Sequence, residues 1–195
     1  MIRIVALYGS SKRKRNSDLL MDKFLEGFGE TDTEVRRIFS SSAAVHHCAA
    51  CDGCYKEGKC VVKDEMQDIY AAFDAADVVV TASPVYFYTV PSHLKAIIDR
   101  CQAVWAGKYV AGSCMLTKKK RYGYIICTAG SAEVKNCFDC TVKVLDLFHK
   151  CINAGIKGML LAAGLDDMPA AEDAELLQKA QDEGARLRKE FEGDK

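Results

Sequence analysis

Short apolar runs alternate along this chain with longer stretches of helical periodicity. Residues 2–7 form a β-branched run that stops at Gly9, the pattern of a strand buried on both faces. Leu20, Phe24 and Phe28 then recur at helical spacing, and Ser17 stands where a helix cap is expected. Residues 33–39, with Val35 and Ile38 apolar, predict another strand. Asp64 opens a helix whose Met66, Ile69, Tyr70 and Phe73 share one face. Asp77 precedes a buried strand at 78–82 that stops at Ser83-Pro84. Leu94, Ile97, Ile98 and Cys101 mark the next helix, and residues 122–127 a strand ending at Thr128-Ala129-Gly130. Val144, Leu147, Phe148 and Cys151 predict a further helix, residues 157–163 the last strand and 170–192 the last helix.

Strands alternating with helices in this rhythm make a parallel sheet covered on both faces. The expected class is α/β: a flavodoxin-like three-layer sandwich with a five-stranded parallel sheet in the order 2-1-3-4-5 and right-handed crossovers. With no repeat or linker, residues 1–195 read as a single domain carrying a cysteine-rich loop at about 46–62. In such sheets ligands bind outside the carboxyl ends of the strands, around the point where strand order reverses. Three loops are expected there: 9–17, 83–91 and 128–137.

Composition narrows the chemistry. A length of 195 residues suits one domain with a core that needs no staples. Lys plus Arg and Asp plus Glu are 27 each, so net charge exerts no general pull toward nucleic acid or a membrane surface. The first apolar run is short and precedes the basic residues, unlike a signal peptide, and no apolar stretch approaches the length of a membrane span. A cytoplasmic protein is expected. In that setting ten cysteines point to metal binding or catalysis ahead of disulfides. Cys101, Cys127 and Cys151 read as small buried hydrophobes.

The loop G9-S10-S11-K12-R13-K14-R15-N16-S17 offers backbone N–H groups, hydroxyls, an amide and several cations ahead of a helix. That combination suits a phosphate monoester. It matches neither the P-loop pattern nor G-x-G-x-x-G. The second loop, SPVYFYTVP, is stiffened by Pro84 and Pro91 and offers Tyr86, Phe87 and Tyr88 as aromatic walls for a planar ring, with one of the three expected to cap the core. The third, TAGSAEVKNC, is small and polar, which permits close backbone approach. A phosphate cradle and two such loops at one switch point describe an FMN site.

Four thiols crowd into CAACDGCYKEGKC, spaced Cys48-x2-Cys51-x2-Cys54-x5-Cys60. Disulfides, zinc and an iron–sulfur cluster compete for them. Structural zinc sites draw on two pairs with a longer spacer, whereas compact runs of this kind wrap a 4Fe-4S cubane. Gly53 and Gly58 are placed to supply bends. The neighbouring His46 and His47 read as exposed loop residues. Cys137 and Cys140 form a C-x-x-C pair without the rest of a thioredoxin pattern and read as structural. The run Lys118 to Arg121 reads as a solvated turn.

The stretches GSSKRKRNS, CAACDGCYKEGKCVVKDEM and ASPVYFYTVPSHLKAIIDR resemble the NAD(P)H-dependent FMN reductase family, and within it the iron–sulfur flavoproteins. The resemblance implies an FMN-dependent oxidoreductase. By match to the family's phosphate loop, Ser10, Lys12, Asn16 and Ser17 are the phosphate ligands, with Lys12 standing where the family usually has Arg. Pro84, Val85, Tyr86 and Phe87 match the loop that lines the ring and ribityl chain, and Ala129, Gly130 and Ser131 the third loop. Cys48, Cys51, Cys54 and Cys60 match a compact cluster motif. No protein side chain is expected to act as a catalytic acid or base. The resemblance also implies a ferredoxin-like or NAD(P)H electron donor and a homodimer or homotetramer. Its acceptor would be a small molecule such as oxygen, peroxide or a quinone. Two rivals remain: an NAD(P)H-dependent FMN or quinone reductase without a cluster, and a flavin- or metal-binding module without turnover.

Overall fold

The computed structural model describes residues 1–117 and 119–194. Its sheet is built from β1 (Ile2–Tyr8), β2 (Thr33–Phe39), β3 (Val78–Pro84), β4 (Arg121–Thr128) and β5 (Ala154–Ala162). All four pairings are parallel and the spatial order is β2-β1-β3-β4-β5, as the alternation of patterns predicts. The helices are α1 (Asn16–Phe28), α2 (Gly53–Glu57), α3 (Met66–Ala75), α4 (Ser92–Arg100), α5 (Gln102–Tyr109), α6 (Asp139–Cys151) and α7 (Ala174–Gly193).

Alternate residues of the central strands feed two cores. Val5, Leu7 and Val79 pack with Phe73 of α3, Ile97 of α4 and Phe148 of α6. Ile4, Ala6, Tyr8 and Val80 face the opposite side, against Leu20 and Phe24 of α1 and Leu187 of α7. A strand clothed on both faces is mostly apolar, which is why residues 4–7 of β1 and 78–80 of β3 are continuous apolar runs. Among the described residues no helix is long and apolar enough to cross a membrane.

Four details depart from the periodicity. Ser17 lies inside the first turn of α1, whose flanking residue is Arg15. The α4 pattern is followed at once by α5, whose buried residues Ala103, Val104, Ala106 and Gly107 are too small to print a strong period. In α6 the buried face is Thr141, Leu145 and Phe148, and Leu147 is exposed. Arg121 is not solvated: its buried guanidinium donates to Asp74 Oδ1 at 3.0 Å and to the Ile152 carbonyl at 3.1 Å. Lys119 pairs with Asp77, and Lys118 lies outside the described residues.

Candidate functional site

Parallel register brings the three predicted loops to one edge. β1 ends beside β3, with Tyr8 opposite Ala82, and β3 beside β4, with Pro84 opposite Thr128. Each loop is pinned to the neighbouring strand by its first amides. Gly9 N–H donates to the Ala82 carbonyl at 2.7 Å, Val85 N–H to that of Thr128 at 2.8 Å, and Ala129 N–H to that of Ala162 at 2.8 Å.

The first loop folds around Ser10. Its buried hydroxyl accepts from Lys12 N–H at 3.1 Å and donates to the Lys12 carbonyl at 3.0 Å. Ser17 is buried in the first turn of α1, while Lys12 is exposed. Asn16 Oδ1 accepts from Ala170 N–H at 3.0 Å and so ties the loop to the segment after β5. Arg15, at the start of α1, gives no side-chain cap. The opening amides of the helix therefore keep their donor character, and with the helix dipole they suit a phosphate. Ser11 joins His93 of α4 at 3.0 Å.

Two residues that the sequence pattern did not single out support this loop. Arg13 lies over the Phe39 ring, 3.5 Å from its centroid, and pairs with Asp18 at 3.1 Å. It is thus held against β2 and α1. Asp18 is buried in the first turn of α1; burial raises its carboxyl above the ordinary value, and the Lys14 amide and Arg13 only partly oppose this.

The second loop closes on itself. Tyr86 and Thr89 exchange backbone hydrogen bonds at 2.8 and 3.0 Å across Phe87 and Tyr88. Both central residues have positive φ, 49° and 63°. Two bulky residues in the left-handed region make a strained turn, the kind of strain that clusters at ligand sites. None of the three aromatics caps the core: Tyr86 and Tyr88 are exposed and Phe87 is 100% exposed, while Val90 turns inward instead. Thr141 of α6 donates to the Tyr88 carbonyl at 3.1 Å and anchors the turn. In the third loop Ala129 is buried and Ser131 exposed. Asp166 N–H donates to the Gly130 carbonyl at 3.0 Å, so this loop leans on the segment after β5. The predicted FMN residues are therefore neighbours on one edge, presenting hydroxyls, amides and aromatic surface that fit FMN.

The cysteine loop leaves the same edge after β2 and runs back along α4 and α5. Cys48, Cys51, Cys54 and Cys60 line one cavity of ≈ 190 Å³, walled mostly by apolar surface. Burial raises the Cys54 thiol, and Cys48, Cys60 and Cys51 add to the shift by mutual repulsion. Among the described residues no three His, Cys, Asp or Glu side chains converge on a single metal ion. A set of four soft donors around one cavity fits an iron–sulfur cubane, whose irons each take one thiolate.

Backbone bends in this loop fall at Ala50, Asp52 and Gly58, all with positive φ, and not at Gly53. Gly58 is irreplaceable on a second ground: a Cβ there would meet the Ser113 carbonyl oxygen at 1.8 Å. His46 and His47 are exposed, as expected. Cys137 is buried and Cys140 exposed, and neither is in a disulfide.

The residue that holds the loop is Arg100, at the end of α4. Its side chain is 1% exposed and lines the cavity with the thiols. Two nitrogens grip Asp64 at 2.7 and 3.1 Å, and they also donate to the carbonyls of His46 at 3.0 Å and Val62 at 3.2 Å. Both ends of the cysteine run are thereby clamped to one guanidinium. Burial opposes the Arg100 charge, but Asp64 and Cys60 more than offset it and hold the proton more firmly than usual. Burial also raises the Asp64 carboxyl, yet Arg100 and the amides of His46 and Met66 bring it below its ordinary value. The only sequence signal for Arg100 was a basic residue following Asp99 where the helix pattern turns inward.

Residues 2–136 match the family described as NADPH-dependent FMN reductase. An iron-sulfur flavoprotein of Archaeoglobus fulgidus is 27% identical over 192 residues, covering 98% of this chain and 81% of the relative. An iron-sulfur flavoprotein of Methanosarcina thermophila is 34% identical over 99 residues, which span 51% of this chain and 52% of that protein. Among solved structures, the NAD(P)H:quinone oxidoreductase from Methanothermobacter marburgensis superposes with a TM-score of 0.71 at 17% identity, covering 95% of this chain and 96% of that one.

Proposed function

The chain belongs to the NADPH-dependent FMN reductase family and is an FMN-dependent oxidoreductase; on that premise we propose that it passes electrons between a 4Fe-4S cluster and FMN. FMN takes one or two electrons and the cluster exchanges one, so the chain's own task is to hold and orient both. Cys48, Cys51, Cys54 and Cys60 are the proposed cluster ligands. Ser10, Lys12, Asn16 and Ser17 receive the phosphate, Pro84, Val85, Tyr86 and Phe87 line the ring and ribityl chain, and Ala129, Gly130 and Ser131 close the third side. The single observation that carries the reading is the four thiols around one cavity. The names of the two relatives support it in the same direction. The donor is a ferredoxin-like protein or NAD(P)H, the acceptor is a small molecule of the quinone, oxygen or peroxide type, and the working unit is a homo-oligomer.

Anaerobic purification followed by iron, sulfide, zinc and flavin assays tests this. About four iron and four sulfide per chain beside one FMN is the expected result. Cys60→Ser should lose the iron and keep the FMN. FMN without iron or sulfide, even after reconstitution, leaves the cluster-free NAD(P)H reductase that the family description favours. No electron transfer to any acceptor after full reconstitution leaves a binding module.

A further inference from the structure

Resting on the cluster reading above, we infer that Arg100 is a tuning residue for the cluster: its Nε–H donates a hydrogen bond to a sulfur in the cysteine cavity and raises the reduction potential. The guanidinium is buried, and its two terminal nitrogens are engaged by Asp64 and by the carbonyls of His46 and Val62. Its third nitrogen, Nε, is buried and has no hydrogen-bond partner among the described residues. A buried donor left unpaired carries a desolvation cost, so it marks a place where an acceptor is expected.

The cavity that Arg100 lines offers sulfur acceptors. Arg100 lines the same cavity as all four thiols, and Cys60 is near enough to act on its charge. Asp64 neutralises the cation locally, so what remains toward the cavity is a directed N–H dipole and little net charge. Adding an electron to a cluster puts negative charge on its sulfurs and makes them better acceptors. A donor at a sulfur thus favours the reduced form, one of the levers that set such potentials. The same side chain clamps both ends of the loop, so geometry and potential are coupled through one residue.

Two variants separate the roles. R100K keeps a cation opposite Asp64 and removes the Nε–H; D64N keeps the Nε–H and weakens the clamp. The readout is the cluster midpoint potential from a dithionite titration followed by EPR, with iron content measured alongside. R100K is expected to shift the potential to a more negative value, whereas D64N, which keeps the Nε–H and leaves the guanidinium charge uncompensated, is expected to move it in the positive direction. An unchanged potential in R100K with full iron overturns the inference, as does a negative shift of the same size in D64N. If R100K holds no iron, the wild-type protein still decides. With 15N-arginine incorporated, pulsed EPR of the reduced cluster should show a 15N hyperfine coupling, and its absence overturns the inference. Wild-type protein devoid of iron and sulfide would instead sink the cluster reading itself, an outcome visible before any variant is made.

Discussion

A carboxyl group under the phosphate loop illustrates how single residues here trade stability for a site. Asp18 is buried beside the first turn of α1, with one oxygen held by Lys14 N–H at 2.9 Å and Arg13 at 3.1 Å and the other unpaired among the described residues. Its carboxyl is raised, chiefly by burial. The folded chain therefore binds the Asp18 proton more tightly than the unfolded chain does. Its contribution is fully present below the unfolded value and is lost as pH rises through the folded one. D18N removes that dependence. Comparing urea unfolding of D18N and wild type between about pH 4 and about pH 7 should show D18N gaining on wild type as pH rises. Asp64 behaves in the opposite sense: its depressed carboxyl stabilises the folded loop above the ordinary value and loses that effect as pH falls through the folded one.

At the scale of elements, glycines set the seam between α1 and α7. A Cβ at Gly184 would lie 1.9 Å from the Phe24 carbonyl oxygen, and one at Gly27 1.8 Å from that of Gln181. The two helices meet backbone to backbone, so neither position has a flexible side chain that can yield. Gly184→Ala should destabilise the protein by about 1–3 kcal/mol or more, as overpacking does, in spite of alanine's better helix propensity. Denaturant titration measures it, and a neutral or stabilising result would mean the seam is looser than described. Because α1 also carries the phosphate loop, the same variant should weaken FMN binding. The exposed Leu147 of α6 and the faint period of α5 belong to this scale too. A period shows that a face exists, but where small residues or two competing apolar stripes occur it does not say which neighbour covers it.

For the whole molecule, the two candidate cofactor regions sit on different supports. The FMN loops hang from strand ends pinned by the sheet, whereas the cysteine loop hangs on Arg100, Asp64 and the contact of Gly58 with Ser113. Their responses to ligand should separate. FMN at about 100 times its Kd should raise the unfolding free energy by about 2.7 kcal/mol, with or without iron. Thermal unfolding with and without flavin checks this. A stabilisation that required iron would contradict the independence of the two supports.

Much of this was legible in the chain itself. Strand order, the parallel sheet and the edge where the three loops lie follow from apolar runs and periodicity, because a doubly covered strand is mostly apolar. The spacing of Cys48, Cys51, Cys54 and Cys60 grouped the four thiols in one loop by proximity along the backbone alone. What only the tertiary structure decided are the contacts between residues distant in sequence. Arg100 meets Asp64, His46 and Val62 across turns of chain that no local pattern links, Arg121 finds Asp74, and Phe87 and Tyr88 accept a strained turn that their own preferences oppose. Local spacing encodes which residues share a face or a loop. Which charged group is buried beside that loop, and with what partner, depends on how the elements pack, and packing is a property of the whole chain.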